Sequence, residues 1–207
     1  MKDIYVIDNF VSKDYQMWIE NIVINQPELP WYYKQHAIDP KRTSDPRNVE
    51  CLFHYLYEDE EKKSPLFDAI YPLVLNISEK APDVKFNALD RMRINLMPKH
   101  KDVNFIGYHL PHIDNYHKGG WNAIYYINNV KAPDDGDTFI FKQSLEKYTQ
   151  EENEKIVNDN YFEIEQKITP KRGRMVIFSN RYYHASSWSN TADRYVVNIN
   201  LITKEIL

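Results

Sequence analysis

The chain has one cysteine, Cys51, and only five glycines in 207 residues. A lone thiol cannot close an intramolecular disulfide, and a reducing compartment is the default for such a composition. No apolar run approaches the ~20 residues needed to cross a bilayer. The opening Met1-Lys-Asp-Ile-Tyr-Val6 has no basic stretch followed by an apolar one, so no signal peptide is read there. An excess of positive charge is also missing: the formal net charge is −4 and the pI near 6.0. This argues against a dedicated duplex-DNA binder, which needs a broad basic field. There are no internal repeats and no low-complexity linkers. We therefore expect one soluble, cytoplasmic domain over residues 1–207, with no membrane association; the oligomeric state is not legible.

What the chain does have is aromatic bulk. Sixteen tyrosines and nine phenylalanines favour strands packed on a well-filled interior, and the length is enough to bury a substantial core. Ile4-Tyr-Val-Ile7 reads as a strand. Ser12 then caps a helix to about Ile24, with Trp18, Ile19, Ile22 and Val23 as its apolar stripe. Residues 26–48 are rich in proline and aromatics without periodicity and read as a long loop. Ser64-Pro65 opens a second helix to about Lys80. Beyond Pro82 the pattern changes to extended pieces at 86–97, 105–113, 121–128, 138–141, 161–168, 174–179 and 194–203, interrupted by a charged helix at 144–157. Two helices followed by a run of strands exclude a doubly wound sheet. The expected fold is mainly β with flanking helices: a double-stranded β-helix, or jelly-roll, barrel over 86–207, with 1–85 as a helical support packed on one face. The basic runs Arg91-Met-Arg93, Lys99-His-Lys101 and Lys171-Arg-Gly-Arg174 read as solvated surface.

The chemistry gathers around Gly107-Tyr-His-Leu-Pro-His-Ile-Asp-Asn115. In extended backbone, His112 and Asp114 point the same way, because side chains repeat with period two. By itself such a pair is more often a turn histidine beside an exposed aspartate. His184, seventy residues on and just after a strong strand, can supply a second imidazole. Two histidines and one carboxylate with the opposite positions open are the facial triad of non-haem Fe(II) oxygenases. Arg194 heads the apolar strand Tyr195-Val-Val-Asn-Ile-Asn-Leu201, and an arginine entering a barrel needs an anionic partner. A dicarboxylic cosubstrate would give one through a bidentate bond, and so would an ion pair with Asp193. Arg93, Asn95 and Met97 share one face of their strand, and Asn198 and Asn200 share parity with Arg194. Of Tyr125 and Tyr126 only one can face inward. Tyr108 either lines the pocket or forms an aromatic wall. His109 and His117 flank the pair without a partner at strand spacing and are left out, and His36, His54 and His100 receive no role.

As an ordered set these segments resemble the Fe(II)/2-oxoglutarate-dependent dioxygenases, in particular their prolyl-hydroxylase-like branch. After its His-x-Asp strand that family places a Tyr-Leu-Asn, a Gly-Gly-x-Thr turn, a Pro-x-x-Gly before the strand leading to the distal histidine, and then the basic residue. Tyr126-Ile-Asn128 and Pro170-Lys-Arg-Gly173 match. Gly136-Asp-Thr138 keeps half of its motif, with Asp137 at the second glycine. The resemblance spans about residues 86–203. It implies Fe(II) held by His112, Asp114 and His184. It further implies 2-oxoglutarate gripped at its distal carboxylate by Arg194 and the Tyr126 hydroxyl, O2 as co-reactant, and ascorbate as an accessory reductant. The implied reaction releases succinate and CO2 and hydroxylates a peptide or protein residue or a small molecule, with nucleic acid disfavoured by the acidic balance. Tyr108, Arg93, Asn95, Asn198 and Asn200 are candidates for contact with substrate or for support behind the ligands. Specificity is expected in residues 31–48 and 142–160, since loops on a rigid barrel carry it. Two other readings use the same residues: a cupin-like metalloenzyme without 2-oxoglutarate, and a non-catalytic metal-binding barrel.

Overall fold

Strict alternation in 121–126 and 194–202 gives each segment two different faces, and this decides how the layers stack. In the computed structural model, residues 3–36, 47–100, 107–115, 117–130, 135–145 and 162–204 are described. The elements are β1 (Ile4–Ile7), α1 (Lys13–Ile24), β2 (Tyr32–Lys34), β3 (Cys51–Glu58), β4 (Glu61–Lys62), α2 (Leu66–Ile70) and α3 (Pro72–Lys80). They continue with β5 (Ala88–Met97), β6 (Trp121–Tyr126), β7 (Thr138–Ser144), β8 (Ile164–Ile168), β9 (Met175–Ser179), β10 (Tyr182–Ser186) and β11 (Arg194–Ile202). The large sheet runs β1-β9-β6-β11-β5-β3-β2, with β4 hairpinned on β3, and the small sheet runs β10-β7-β8. All pairings are antiparallel. The protein is thus mainly β, with antiparallel sheets of the jelly-roll type. Among the described residues no helix is long and apolar enough to cross a membrane.

The two faces of the large sheet bury different things. Ala123, Tyr125, Val197, Ile199 and Leu201 belong to one cluster with Ile19 and Val23 of α1, Ile70 of α2, and Leu73 and Ile77 of α3. Each such aliphatic side chain contributes about 1.5–3 kcal/mol by leaving water. The opposite face carries Ile124, Tyr126, Val176, Phe178 and Val196, which meet Ile140 of β7 in a second cluster between the sheets. Asn122, Arg194, Asn198 and Asn200 share that inner face and are buried there.

Local chemistry explains where the structure departs from the sequence reading. The Ser12 hydroxyl caps α1 by accepting from the Tyr15 N–H, yet Trp18 is exposed and stacks on Tyr15 at 5.6 Å. The second helix is two, because Pro72 has no N–H to continue the ladder of α2. Residues 1–85 are not a helical support alone: β1 to β4 all lie in this part and join the large sheet. In β3, Leu56 and Phe53 are both buried although they lie on opposite faces, and a strand covered on both sides shows no alternation. The piece expected at 105–113 forms no strand over 107–113, only a single bridge from His112 to His184, since Pro111 cannot donate to a ladder. The charged helix expected at 144–157 falls outside the described residues after Leu145, while Ser144 itself ends β7. Residues 37–46 and 146–160, within the two segments expected to carry specificity, also lie outside them.

Candidate metal centre

The turn Asn180-Arg181 takes the chain from β9 in the large sheet to β10 in the small one, and β10 carries His184. His112 lies opposite it: the His112 N–H donates to the His184 carbonyl and the His184 N–H to the His112 carbonyl, both at 3.0 Å. This reciprocal pair fixes the two imidazoles side by side, with ring centroids 4.6 Å apart. Two residues on, Asp114 brings a carboxylate to the same place. The ligand atoms of His112, Asp114 and His184 lie within 4.8 Å of one another. The Nε2 atoms stand 3.9 Å (His112) and 3.7 Å (His184) from Asp114 oxygens. Both separations exceed a hydrogen bond, so the three atoms face each other across a gap.

Each imidazole is set in the tautomer a metal requires. Nδ1 of His112 is 3.1 Å from the Leu110 carbonyl, and Nδ1 of His184 is 3.4 Å from the Tyr182 carbonyl. A carbonyl only accepts, so Nδ1 carries the proton and the Nε2 lone pair faces the gap. Burial, with His184 alongside, pushes the His112 imidazole down to about 4. For Asp114, burial alone would raise the carboxyl. His184, Arg91 and His112 outweigh it and hold the group well below the ordinary carboxylate range. At neutral pH the site therefore presents a neutral His112 and an ionised Asp114, as cation ligation demands.

Asp114 is aimed by the inner face of the large sheet. Asn198 and Asn200 donate to its Oδ2 at 3.3 and 3.1 Å, and Arg91 Nη2 approaches Oδ1 at 3.3 Å. Arg91 Nε also donates to the Asn200 carboxamide at 2.9 Å, and Asn200 donates to Asn122 at 2.8 Å. Asn198 and Asn200 thus stand behind the carboxylate. Arg91, read as solvated surface, also reaches it. Its parity with Arg93, on the same strand, was the signal for it.

At the other end of the same face, Arg194 is buried and its Nη2 donates to Thr138 Oγ1 at 2.9 Å. Tyr126 donates to the same oxygen at 2.6 Å, and its ring lies 5.4 Å from the guanidinium carbon. Asp193 is engaged elsewhere, accepting from the Lys99 N–H. No carboxylate of the described residues is within ion-pairing distance of Arg194, and its Nε is buried without a partner. Gly136 is needed beside it: its φ is +66°, and a Cβ there would meet Arg194 Cδ at 3.2 Å. Tyr126 faces this interior, whereas Tyr125 is buried on the helix side. Thr138, which joins Tyr126 to Arg194, received no role from the sequence.

The remaining candidates separate. Arg93 and Asn95 lie on the inner face of β5, opposite Asn198 and Val196 of β11, and Arg93 Nε and Asn95 Oδ1 are buried without partners. Tyr108 does not line the gap. It packs on Phe139 and Phe141 at 5.4 and 4.8 Å, on the side of β7 away from Ile140, because its ring buries more surface there than at a polar site. His109, left without a role, has Nδ1 3.2 Å from Ser186 Oγ and a buried, unpartnered Nε2. Burial, then Arg194 and His112, pushes it down to about 3.

A metal gap flanked by a buried arginine is the geometry; the comparisons with known proteins assign it. The family model of the 2OG-Fe(II) oxygenase superfamily matches residues 99–202, half of the chain and every residue of the triad with Arg194. The chain belongs to this superfamily. The oxygenase therefore uses Fe(II), 2-oxoglutarate and O2. No curated protein matches it in sequence. Its fold is similar to that of a prolyl-4-hydroxylase from Pseudomonas putida (TM-score 0.60, 12% identity, 98% of this chain and 94% of that one). It is also similar to a Trichoplax adhaerens prolyl hydroxylase in complex with a hypoxia inducible factor peptide fragment (0.59, 16%, 98% and 84%). A third relative in fold is the non-heme alpha ketoglutarate dependent epimerase SnoN from nogalamycin biosynthesis (0.65, 9%, 97% and 78%).

Proposed function

We propose that this oxygenase hydroxylates a peptide or small-molecule substrate, with His112, Asp114 and His184 holding Fe(II) and Arg194 holding the distal carboxylate of 2-oxoglutarate. The observation that carries the reading is Arg194: a buried guanidinium on the face that aims Asp114, without a carboxylate partner among the described residues. Leaving such a charge unmatched is costly, and a dicarboxylate removes the cost. When bound, the iron supplies O2 activation coupled to decarboxylation of the cosubstrate to succinate and CO2.

The chain's own residues bind, orient and shield. The Nδ1 protons on His112 and His184 keep both lone pairs pointed inward. His184, Arg91 and His112 hold Asp114 ionised, while Arg91, Asn198 and Asn200 keep it in one orientation. Three protein ligands, not four, would leave open positions on the metal for cosubstrate and O2. Thr138 accepts from both Arg194 and Tyr126, which leaves its own hydroxyl proton to donate to the cosubstrate carboxylate. Ile124, Val196, Ile140 and Phe178 line the interior and exclude water, which strengthens every charged contact there. We further treat residues 1–207 as one catalytic domain.

The prolyl hydroxylase neighbour bound to a peptide favours a peptide substrate, while the epimerase neighbour indicates that this fold serves more than one oxidative outcome. A cupin-like enzyme without 2-oxoglutarate would leave Arg194 without purpose. A decayed binding module would have no need of an intact triad. The test is succinate formation from 2-oxoglutarate with wild-type protein and Arg194→Gln. The expected result is Fe(II)-dependent succinate from wild type, with a 2-oxoglutarate KM raised at least tenfold in R194Q. Equal succinate from both proteins would contradict the assignment of Arg194.

A further inference from the structure

The inner face of the large sheet does not end at the metal gap. Beyond β11 it continues through β5 and β3 to the edge strand β2, and the register places Arg93 opposite both Asn198 and Tyr55. Asn198 donates to Asp114, so Arg93 stands one strand away from the group that aims the metal ligand. Its guanidinium carbon lies 4.3 Å from the centre of the Phe53 ring. The Nε is sealed from solvent without a hydrogen-bond partner, and among the described residues the side chain makes no ion pair.

The neighbours of Arg93 cannot neutralise it. Asp114 is the carboxylate whose charge reaches it, but that carboxylate is already met by Arg91, Asn198 and Asn200. Cys51 and Tyr55 are nearby weak acids. Burial pushes the Cys51 thiol up to about 11 and raises the Tyr55 hydroxyl, so both are uncharged at neutral pH. Once loaded, the centre remains positive: Fe(II) with Arg91, Arg93 and Arg194 outweighs Asp114 and a dianionic cosubstrate. Beside the guanidinium, Phe53 and Tyr55 lie 6.2 Å apart, and the half-exposed Tyr32 tilts against Tyr55 at 5.4 Å. A half-buried charged fork next to an aromatic shelf is suited to one kind of ligand. Guanidinium binds planar or tetrahedral oxyanions bidentately, and aromatic faces cover an apolar body.

We propose that the primary substrate carries an oxyanion, a carboxylate or a phosphate, which Arg93 grips while Phe53, Tyr55 and Tyr32 cover an adjoining apolar portion. The proposal rests on the functional reading above, in which Arg194 is reserved for 2-oxoglutarate. Arg93 is then the specificity-determining residue of the oxygenase, and uncharged analogues are rejected because they leave its fork unmatched.

The experiment uses protein loaded with Mn(II) and saturated with 2-oxoglutarate, with the binding of both measured first. Phenylacetate, phenyl phosphate and the uncharged phenylacetamide are then titrated, and paramagnetic broadening of their proton signals reports binding close to the metal. We expect at least one anion to broaden saturably and phenylacetamide not to; which anion responds separates carboxylate from phosphate. In Arg93→Gln the affinity for that anion should fall at least tenfold while that for 2-oxoglutarate stays within twofold, and Arg93→Lys, which keeps the charge without the fork, should lie between. Phenylacetamide binding as well as the anions would overturn the proposal, as would anion binding unchanged in R93Q. So would no anion bound at about 10 mM, where even fragment-sized ligands are held. If R93Q does not fold, the wild-type comparison of anions with amide decides, supported by R93K. Failure of 2-oxoglutarate to bind would take down the functional reading and this proposal together; 2-oxoglutarate binding without anion preference overturns this proposal alone.

Discussion

The two faces of the eight-stranded sheet are made by the same strands and do opposite work. On β6 and β11 the odd positions, Ala123, Tyr125, Val197, Ile199 and Leu201, enter a dry cluster with the helices. The even positions Asn122, Asn198, Asn200 and Arg194 put amides and a guanidinium into an equally buried space. Burial drives the first face. On the second it is a cost, offset only where each polar group finds a partner. Several do not: the free oxygens of Asn95 and Asn198 and the Nε atoms of Arg93 and Arg194 are buried without one. The contrast locates function. On the helix side the Tyr125 hydroxyl is the one such atom of these strands among the described residues, and a sheet that gathers its other unmatched polar groups on the opposite face has kept that face for something that binds there.

Substitutions can break this contrast from either side. The largest effect is expected on the helix side. Ile199 is fully buried in that cluster, and Ile199→Ala should cost about 2–5 kcal/mol in denaturant unfolding, with metal affinity in the remaining folded protein unchanged. A comparable loss of metal affinity would mean that the two faces are not independent. On the other side, Asn200→Ala removes a donor to Asp114 and a partner of Arg91. It should weaken Mn(II) binding about 10–100-fold by titration, with a smaller loss of stability than Ile199→Ala.

Thr138→Val keeps shape but deletes the hydroxyl shared by Tyr126 and Arg194. Since a buried group left unsatisfied costs about 1–3 kcal/mol, the 2-oxoglutarate KM should rise about tenfold or more, with metal affinity unaltered. The smallest effect is at the rim, where Asp8 accepts from Arg174 and Lys171. The Arg174 hydrogen bond leads in lowering the Asp8 carboxyl from 3.8 to about 2. A depressed carboxyl contributes stability that is fully present above its unfolded value and is lost as pH falls through the folded one. Solvent screening at this third-exposed site keeps the contribution below about 1 kcal/mol. Asp8→Asn should therefore unfold slightly more easily than wild type at pH 7, and the two should converge as pH falls from about 4 towards 2.

How legible this was in the sequence depended on whether period two survived. In β6 and β11 one face is apolar and the other carries amides and a charge, so Arg194, Asn198 and Asn200 could be given one parity from spacing, whereas the choice of Tyr126 over Tyr125 came from the family resemblance. His112 and Asp114 could be paired on the same ground, although Pro111 keeps their segment from being a strand. Where both faces are covered the signal disappears, as in β3, where Phe53 and Leu56 are equally buried. Tyr108 lies in an irregular segment where parity has no meaning, and it went to the aromatic cluster of β7. Arg91 was hidden in a basic run, where its parity with Arg93 was the one signal, and its register opposite Asn200 places it on the inner face. The carbonyls that set the histidine tautomers belong to Leu110 and Tyr182, and backbone acceptors leave no trace in side-chain identity. Thr138 could have been found, being the one residue of its turn motif that reaches both Tyr126 and Arg194.

The most direct test of the central claim is anaerobic titration of 2-oxoglutarate into the Fe(II)-loaded oxygenase, following the weak visible metal-to-ligand charge-transfer band. The account predicts a saturable band in the wild-type protein and none in folded His184→Ala or Asp114→Ala. A folded, iron-loaded wild-type protein that shows no band, or variants that keep it, would contradict the assignment of these residues to the metal and its cosubstrate.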